Sequence, residues 1–305
     1  MNGDYRLLPA VAGLFLAPAA MAATGALPIT DPHLAELHEA ITGWEKLTQR
    51  ADFMDFPAQP AAWPCPVADL ELRKAAGLLR PSELSLSEQR VRLATIRRLG
   101  GNVGPSDANF QNIRSHPLRS ECVGGKLEGE AEYLLLHDAV EDTPSLTIAY
   151  QLSVRVRAHF RAGLIDESRG VLLVQQVDNS RITFKNPDMQ KMMEATKTPP
   201  ASSRTIIAKS SLQPFQGYEL SRLVTAVGSK QEVPVTTTVA PFGEGRRLHS
   251  VYRGSDKWQE YRTWAGLHHG VHQTFPIRLN GFAMPAETKC YQDGEEIKTV
   301  QCDVE

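Results

Sequence analysis

Apolar residues recur at three- and four-residue steps in the first third of the chain and alternate with polar ones from about residue 121 onward, so the sequence predicts helices first and strands afterwards. The clearest helix follows Asp31, a capping residue type, and Pro32, which suits a first turn. Leu34, Leu37, Ile41, Trp44 and Thr48 line one stripe, with Glu36, Glu39, Glu45 and Lys46 mostly off it. The stripe covers barely two heptads, which favours packing on its own domain over a coiled-coil partner. Two shorter helices are expected over residues 67–79 and 85–99, separated by Pro81 and stopped by Gly100-Gly101. Arg90, Arg92, Arg97 and Arg98 make the second one basic, a pattern that most often marks a solvated face. Between the first helix and these two, residues 51–66 hold Pro57, Pro60, Pro64 and Pro66 with Phe53, Phe56 and Trp63. The prolines deny this segment a regular helix or central strand, and its aromatics imply that it lies against a surface.

Alternation is most regular over residues 146–160. Leu146, Ile148, Tyr150, Leu152, Val154, Val156, Ala158 and Phe160 share one face, and Thr147, Gln151, Ser153, Arg155, Arg157 and His159 the other. At ~3.3 Å per residue such a strand spans about 50 Å, and because sheets twist it is expected to bend through a strongly curved sheet or open barrel. Shorter strands are expected over residues 170–177, 181–184, 205–212, 219–227, 233–239, 248–253, 258–264 and 275–279, ending in a hairpin at Asp293-Gly294. Residues 186–200, with Met189, Met192 and Met193, interrupt them as a short helix or a loop. The fold class is therefore α+β, N-terminal helices feeding a large, strongly curved, mostly antiparallel sheet or open barrel. The expected division is a helical region over residues 23–104, containing the Pro-rich segment, and a β-rich domain over 105–305. Uneven strand lengths and the lack of repeated aromatic girdles weigh against an outer-membrane barrel.

The leader changes where this fold is expected to work. Residues 1–22 run from a short start with Arg6 through an apolar stretch, broken by Pro9 and Pro18, to Ala20-Met21-Ala22. That pattern predicts a cleaved secretory signal with the mature chain starting near Ala23. The apolar run is too short to span ~30 Å of hydrocarbon, and no later stretch is long and apolar enough for a helical span. The first cysteine is Cys65, so none stands at the cleavage site to carry a lipid. Removing Asp4 and Arg6 leaves the formal charge of −2 unchanged, and a near-neutral chain has no global field favouring nucleic acid. The expected address is periplasmic or extracellular, without an integral membrane span after signal removal.

Export gives the four cysteines an oxidising destination, and two disulfides are expected. Sequence order favours Cys65–Cys122 with Cys290–Cys302. Register opposes the second pair: a two-residue turn at Asp293-Gly294 sets Cys290 opposite Ile297, and alternation then puts Cys302 on the other face. The pair needs a looser turn or a chain that bends back near Cys302. Metal coordination by free thiols is disfavoured because no CxxC spacing occurs.

Catalytic signatures are sparse. No GxSxG nucleophile elbow and no phosphate-cradling glycine loop occurs, and Gly254-Ser255-Asp256 and Gly228-Ser229-Lys230 read as turns. His268-His269-x-x-His272 is the most suggestive cluster. In an extended strand His268 and His272 share a face but stand ~13 Å apart, too far to ligate one metal, and no HExxH glutamate lies between them. No metal and no cofactor is therefore expected. Tyr252, Trp258, Tyr261 and Trp264 are the densest aromatic group of the β-rich half, with Glu260 and Arg262 between the tryptophans. Aromatics with charged neighbours suit a binding surface; the plainer alternative is core tryptophan beside a cross-strand ion pair. Hairpin phrases such as Gly125-Lys126-Leu127-Glu128-Gly129-Glu130 with Tyr133, and Tyr291-Gln292-Asp293-Gly294-Glu295, are similar to the strand–turn units of MORN repeats. They have no constant period, and glycine-turn hairpins arise in any antiparallel sheet, so the likeness assigns no family.

The functional expectation is an exported, soluble, non-catalytic binding protein that engages a protein partner or an amphiphile on the concave apolar face, inhibition of an envelope-directed toxin being one form. Its candidate binding residues are Tyr252, Trp258, Tyr261, Trp264, His268 and His272. The alternative is a hydrolase of envelope lipids or polymers that pairs a histidine of residues 267–273 with a carboxylate from elsewhere.

Overall fold

The computed structural model describes residues 27–47, 53–98, 112–142, 145–169, 172–195, 201–227, 230–231, 233–279, 282–298 and 302. The expected signal segment and the Gly100-Gly101 stop lie outside them. Helix α1 spans Pro32–Leu47, α2 Asp69–Ala76, α3 Leu86–Arg98 and α4 Pro187–Ala195, with a 3₁₀ turn at Pro81–Glu83. Strands β1 (Ile113–Val123), β2 (Lys126–Asp142), β3 (Leu146–Arg161) and β5 (Leu172–Phe184) pair in that order, with β4 (Leu164–Ile165) against β3. From β5 the pairing continues through β6 (Ala201–Lys209), β7 (Glu219–Val227), β9 (Val235–Pro241), β10 (Arg246–Arg253) and β11 (Asp256–Trp264). It ends with β12 (Leu267–Thr274), β15 (Glu287–Gln292) and β16 (Glu295–Ile297). Strand β8 (Lys230–Gln231) pairs with β7, and β13 (Ile277–Leu279) with β14 (Phe282–Met284) as a separate hairpin.

The architecture is α+β, with two antiparallel sheets of 4 and 8 strands joined where β5 pairs with β6, and neither is closed or strongly curled. This corrects the expectation of a strongly curved sheet or open barrel. The physical reason lies in what covers the long strand. On one face α2 and Leu78 pack against Tyr133, Leu135, Val154, Val156, Ala158 and Phe160, all at most 2 % exposed. The Tyr133 hydroxyl donates to the Leu72 carbonyl at 2.9 Å, and Trp63 packs edge-on to Tyr133. On the other face lies α1, with Leu34, Leu37, Ile41 and Trp44 buried against Ile206, Ala208 and Leu220. A strand covered by helices on both faces has no need to roll up to hide its apolar side.

The polar face of β3 is covered around Arg155 and Arg157, while Gln151 further along the strand stays exposed. The Arg155 guanidinium pairs with Glu132, donates to the Phe53 carbonyl at 2.6 Å and sits 3.7 Å from the Phe53 ring centre. Arg157 also bonds Glu132 and lies 4.7 Å from the Trp44 ring centre. Aromatic faces attract these cations while Glu132 neutralises them, so α1 can cover charged residues without leaving them uncompensated. The side chains of residues 146, 148 and 150 lie outside those described. The Pro-rich segment behaves as its aromatics imply: Phe53 joins the α1 cluster, Phe56 meets His116 and Arg114 of β1, and Trp63 reaches the opposite face. The segment thus wraps β1, the edge strand of the first sheet, where unpaired backbone would otherwise invite other chains.

Two disulfides are present, and among the described residues no cysteine is free. Cys65–Cys122 ties the Pro-rich segment to β1, and Cys290–Cys302 tethers the tail to β15. The register objection to the second pair dissolves because Cys290 does face Ile297, yet β16 ends there and Cys302 lies beyond strand alternation. Positive φ at Asp293 (51°) and Gly294 (91°) makes the tight turn that sets this register. Disulfides suit an oxidising compartment. Among the described residues no helix is long and apolar enough to cross a membrane.

We expect Arg155→Ala to cost about 3 kcal/mol in urea unfolding, because it strands a buried carboxylate, with Arg155→Met/Glu132→Gln recovering most of the loss. Val154→Asp should be at least as damaging and Ser153→Asp much milder. A neutral Arg155→Ala would show that α1 does not close over this pair.

Candidate functional site

The candidate residues fall on two faces of the larger sheet. On the face shared with α2, Tyr261 of β11 is sandwiched between two imidazoles. Its ring centre lies 4.6 Å from His249 of β10, with planes 9° apart, and 4.6 Å from His268 of β12, with planes 11° apart. His272 stands 5.2 Å from Tyr261 and 5.6 Å from His268. Tyr291 of β15 closes the group at 5.2 Å from His268 and 5.8 Å from His272. All five rings are partly exposed.

Two irregularities in pairing create this cluster. Unbroken pairing from Arg253–Asp256 would set Glu260 against His249. The register instead skips Trp258, between Tyr252–Lys257 and Val251–Gln259, and brings Tyr261 there. Unbroken pairing from Trp264–Leu267 would set Gly270 opposite Tyr261. Between the pairs Thr263–His268 and Tyr261–His272, however, β12 spends three residues, His269 to Val271, against Arg262 alone. Gly270 takes φ +77° there, a conformation that favours glycine. The bulge shortens β12 and draws His268 and His272 together, which corrects the ~13 Å separation expected from ideal strand rise.

Electrostatics fix the state of His249. Burial, then the positive charge of Arg247, lowers its pKa to about 4, with Glu219 opposing. The imidazole is therefore neutral at pH 7, and its Nε2 lies 3.0 Å from Thr263 Oγ1. Burial alone would raise the Glu219 carboxyl, but Lys209 at 3.0 Å, then Arg247, overcomes it and holds Glu219 below the usual carboxylate range. Arg247 is anchored by donating to the Gly217 carbonyl at 3.0 Å. Among the described residues no group of three or more His, Cys, Asp or Glu is arranged around a metal position.

On the opposite face the other candidates separate. Tyr252 is 6 % exposed and belongs to the interior, Trp258 is half-buried at its bulge, and Trp264 is 50 % exposed. Trp264 pairs with Arg246 across the strands, and the His269 ring lies 5.4 Å from its own, edge-on. A Cβ on Gly245 would come 3.2 Å from its indole nitrogen. Arg262 lies 4.4 Å from the Phe242 ring centre. The turn after Trp264 is fixed from outside, because at Gly266 (φ +82°) any Cβ would collide with Phe215 and with Val91 of α3. The imidazole–carboxylate pair in this region is His269 with Asp293, at 3.7 Å on a solvent-facing turn.

The structure thus brings together Tyr261, His268 and His272, adds His249 and Tyr291, and sets Tyr252, Trp258 and Trp264 elsewhere. The chain matches no protein-family model, and neither curated proteins nor solved structures are significantly similar to it.

The unfolded chain titrates His249 near 6.5 and the folded protein near 4, so the folded state favours the neutral ring. Its contribution to stability is complete above pH 6.5 and is lost as pH falls toward about 4, amounting to about 3 kcal/mol. Urea midpoints for wild type and His249→Gln should converge over that window. Parallel pH profiles would show that His249 is not held neutral.

Proposed function

We propose that this chain is an exported binding protein whose ligand is another protein, held at the surface around Trp264. The observation that carries this reading is Trp264 itself. It is a large aromatic, 50 % exposed yet packed over Gly245 and edge-on to His269, beside the Arg262–Phe242 stack. Tryptophan and arginine dominate the few contacts that carry most binding energy at protein interfaces, and a preorganised side chain loses little entropy on association. Inhibition of an envelope-directed toxin remains one form such binding would take.

The amphiphile version loses its support, because the apolar face of β3 is filled by α2 and Trp63 and the sheet is not strongly curled. A crevice near Ile165, lined largely by polar and charged groups including Asp166, Glu167, Arg169 and Lys209, encloses only about 10 Å³, far too little for a lipid. The hydrolase reading asks for a carboxylate working with His268 or His272. Among the described contacts, both rings meet Tyr261, Tyr291 and each other, and a carboxylate, Asp293, lies beside His269.

A photo-crosslinking residue at position 264, introduced in the native host, is expected to yield a discrete protein adduct that the same group at Val140, 70 % exposed, does not. Purified Trp264→Ala should melt within a few degrees of wild type, since the side chain is half in water. Adducts to lipid or polymer alone, or identical adducts at both positions, would overturn the reading.

A further inference from the structure

We propose that His268 and His272 form a two-imidazole site for a late first-row divalent cation, with Tyr291 beside it as a candidate third ligand. In a regular strand these histidines stand too far apart to share a metal; the bulge at Gly270 removes that obstacle and sets their ring centres 5.6 Å apart. A metal bound at ~2.1 Å through a ring nitrogen lies about 3.2 Å from that ring's centre. Two rings 5.6 Å apart, with one nitrogen of each turned to the space between them, can therefore hold one ion at a nitrogen–metal–nitrogen angle of about 120°, close to what tetrahedral coordination asks.

The surroundings suit that use. Tyr261 stacks flat under His268 and also touches His272, fixing both rings, and Tyr291 lies within 5.8 Å of each. As residues His268, His272 and Tyr291 are partly exposed, while His268 Nδ1 and both His272 nitrogens are themselves buried within the group. Imidazole ligands select copper, zinc and nickel over magnesium and calcium, with Cu²⁺ tightest. The described cysteines are all in disulfides and offer no competing thiolate. With two protein imidazoles, the remaining positions fall to water, to the Tyr291 oxygen or to a donor from a bound partner.

The test titrates the purified full-length mature protein with Cu²⁺, Ni²⁺ and Zn²⁺ separately, in a non-coordinating buffer, by calorimetry. Pulsed electron paramagnetic resonance of the Cu²⁺ form then counts coordinated imidazoles. We expect one site of micromolar order with two imidazoles, weakened at least about tenfold in His268→Gln and in His272→Gln and unchanged in His33→Gln. Binding should fall as pH drops below about 6, because the ligating rings must be neutral. The imidazole count on wild-type protein decides the matter even if a variant misfolds. A single coordinated imidazole, no binding up to about 0.1 mM, or a site lost in His33→Gln and kept in His268→Gln would overturn the proposal.

Discussion

The fold depends on burying the β2–β3 pair from both sides. One face of β3 is aliphatic and is closed by α2. The other carries Arg155 and Arg157 and is closed by the aromatics of α1 and the Pro-rich segment, with Glu132 balancing the charge. Both coverings come from the N-terminal third of the chain, so the helices do not form a unit that merely precedes the sheet. The Cys65–Cys122 bond locks one of these coverings to the edge strand. Open sheets are stable here because helices and a proline-rich strap do what barrel closure would otherwise do.

The β2–β3 pair is covered on both faces around Val154–Arg157, whereas the strands from β10 to β16 carry partly exposed rings on one face and Trp264 on the other. α3, basic in sequence, is not simply a solvated helix: Val91 and Ala94 rest against the turns at Gly266 and Gly294, bracing the strand ends that present these groups. The ring cluster and Trp264 are thus built on paired strands and tight turns, which hold side chains more rigidly than long loops do.

Periodicity made some of this legible and packing hid the rest. The α1 stripe and the aliphatic face of β3 follow directly from 3.6- and 2-residue repeats, and Leu34, Leu37, Ile41, Val154 and Val156 are buried as those repeats require. Arg155 misled because alternation reports which residues share a face and not whether that face meets water. The curvature inferred from strand length assumed an uncovered strand. Of the ring cluster, the sequence singled out Tyr261, His268 and His272 but not their meeting. Bulges at Trp258 and around Gly270 shift the register, and turn chemistry alone does not announce them. Tyr291 arrives through β12–β15 pairing after the β13–β14 hairpin intervenes, a long-range step no local pattern encodes. Gly270 between two histidines was the available signal, since an isolated glycine in a strand often marks a bulge.

Hydroxyl-radical footprinting reads whether the chain's own helices seal the β2–β3 pair and leave Trp264 facing outward. In the purified protein Trp264 should oxidise readily while Trp44 and Tyr133, at 2 % and 0 % exposure, stay protected. Adding envelope extract from the native host should protect Trp264 selectively. Oxidation of Trp44 or Tyr133 in the folded protein, or a Trp264 already protected without any partner, would contradict the account.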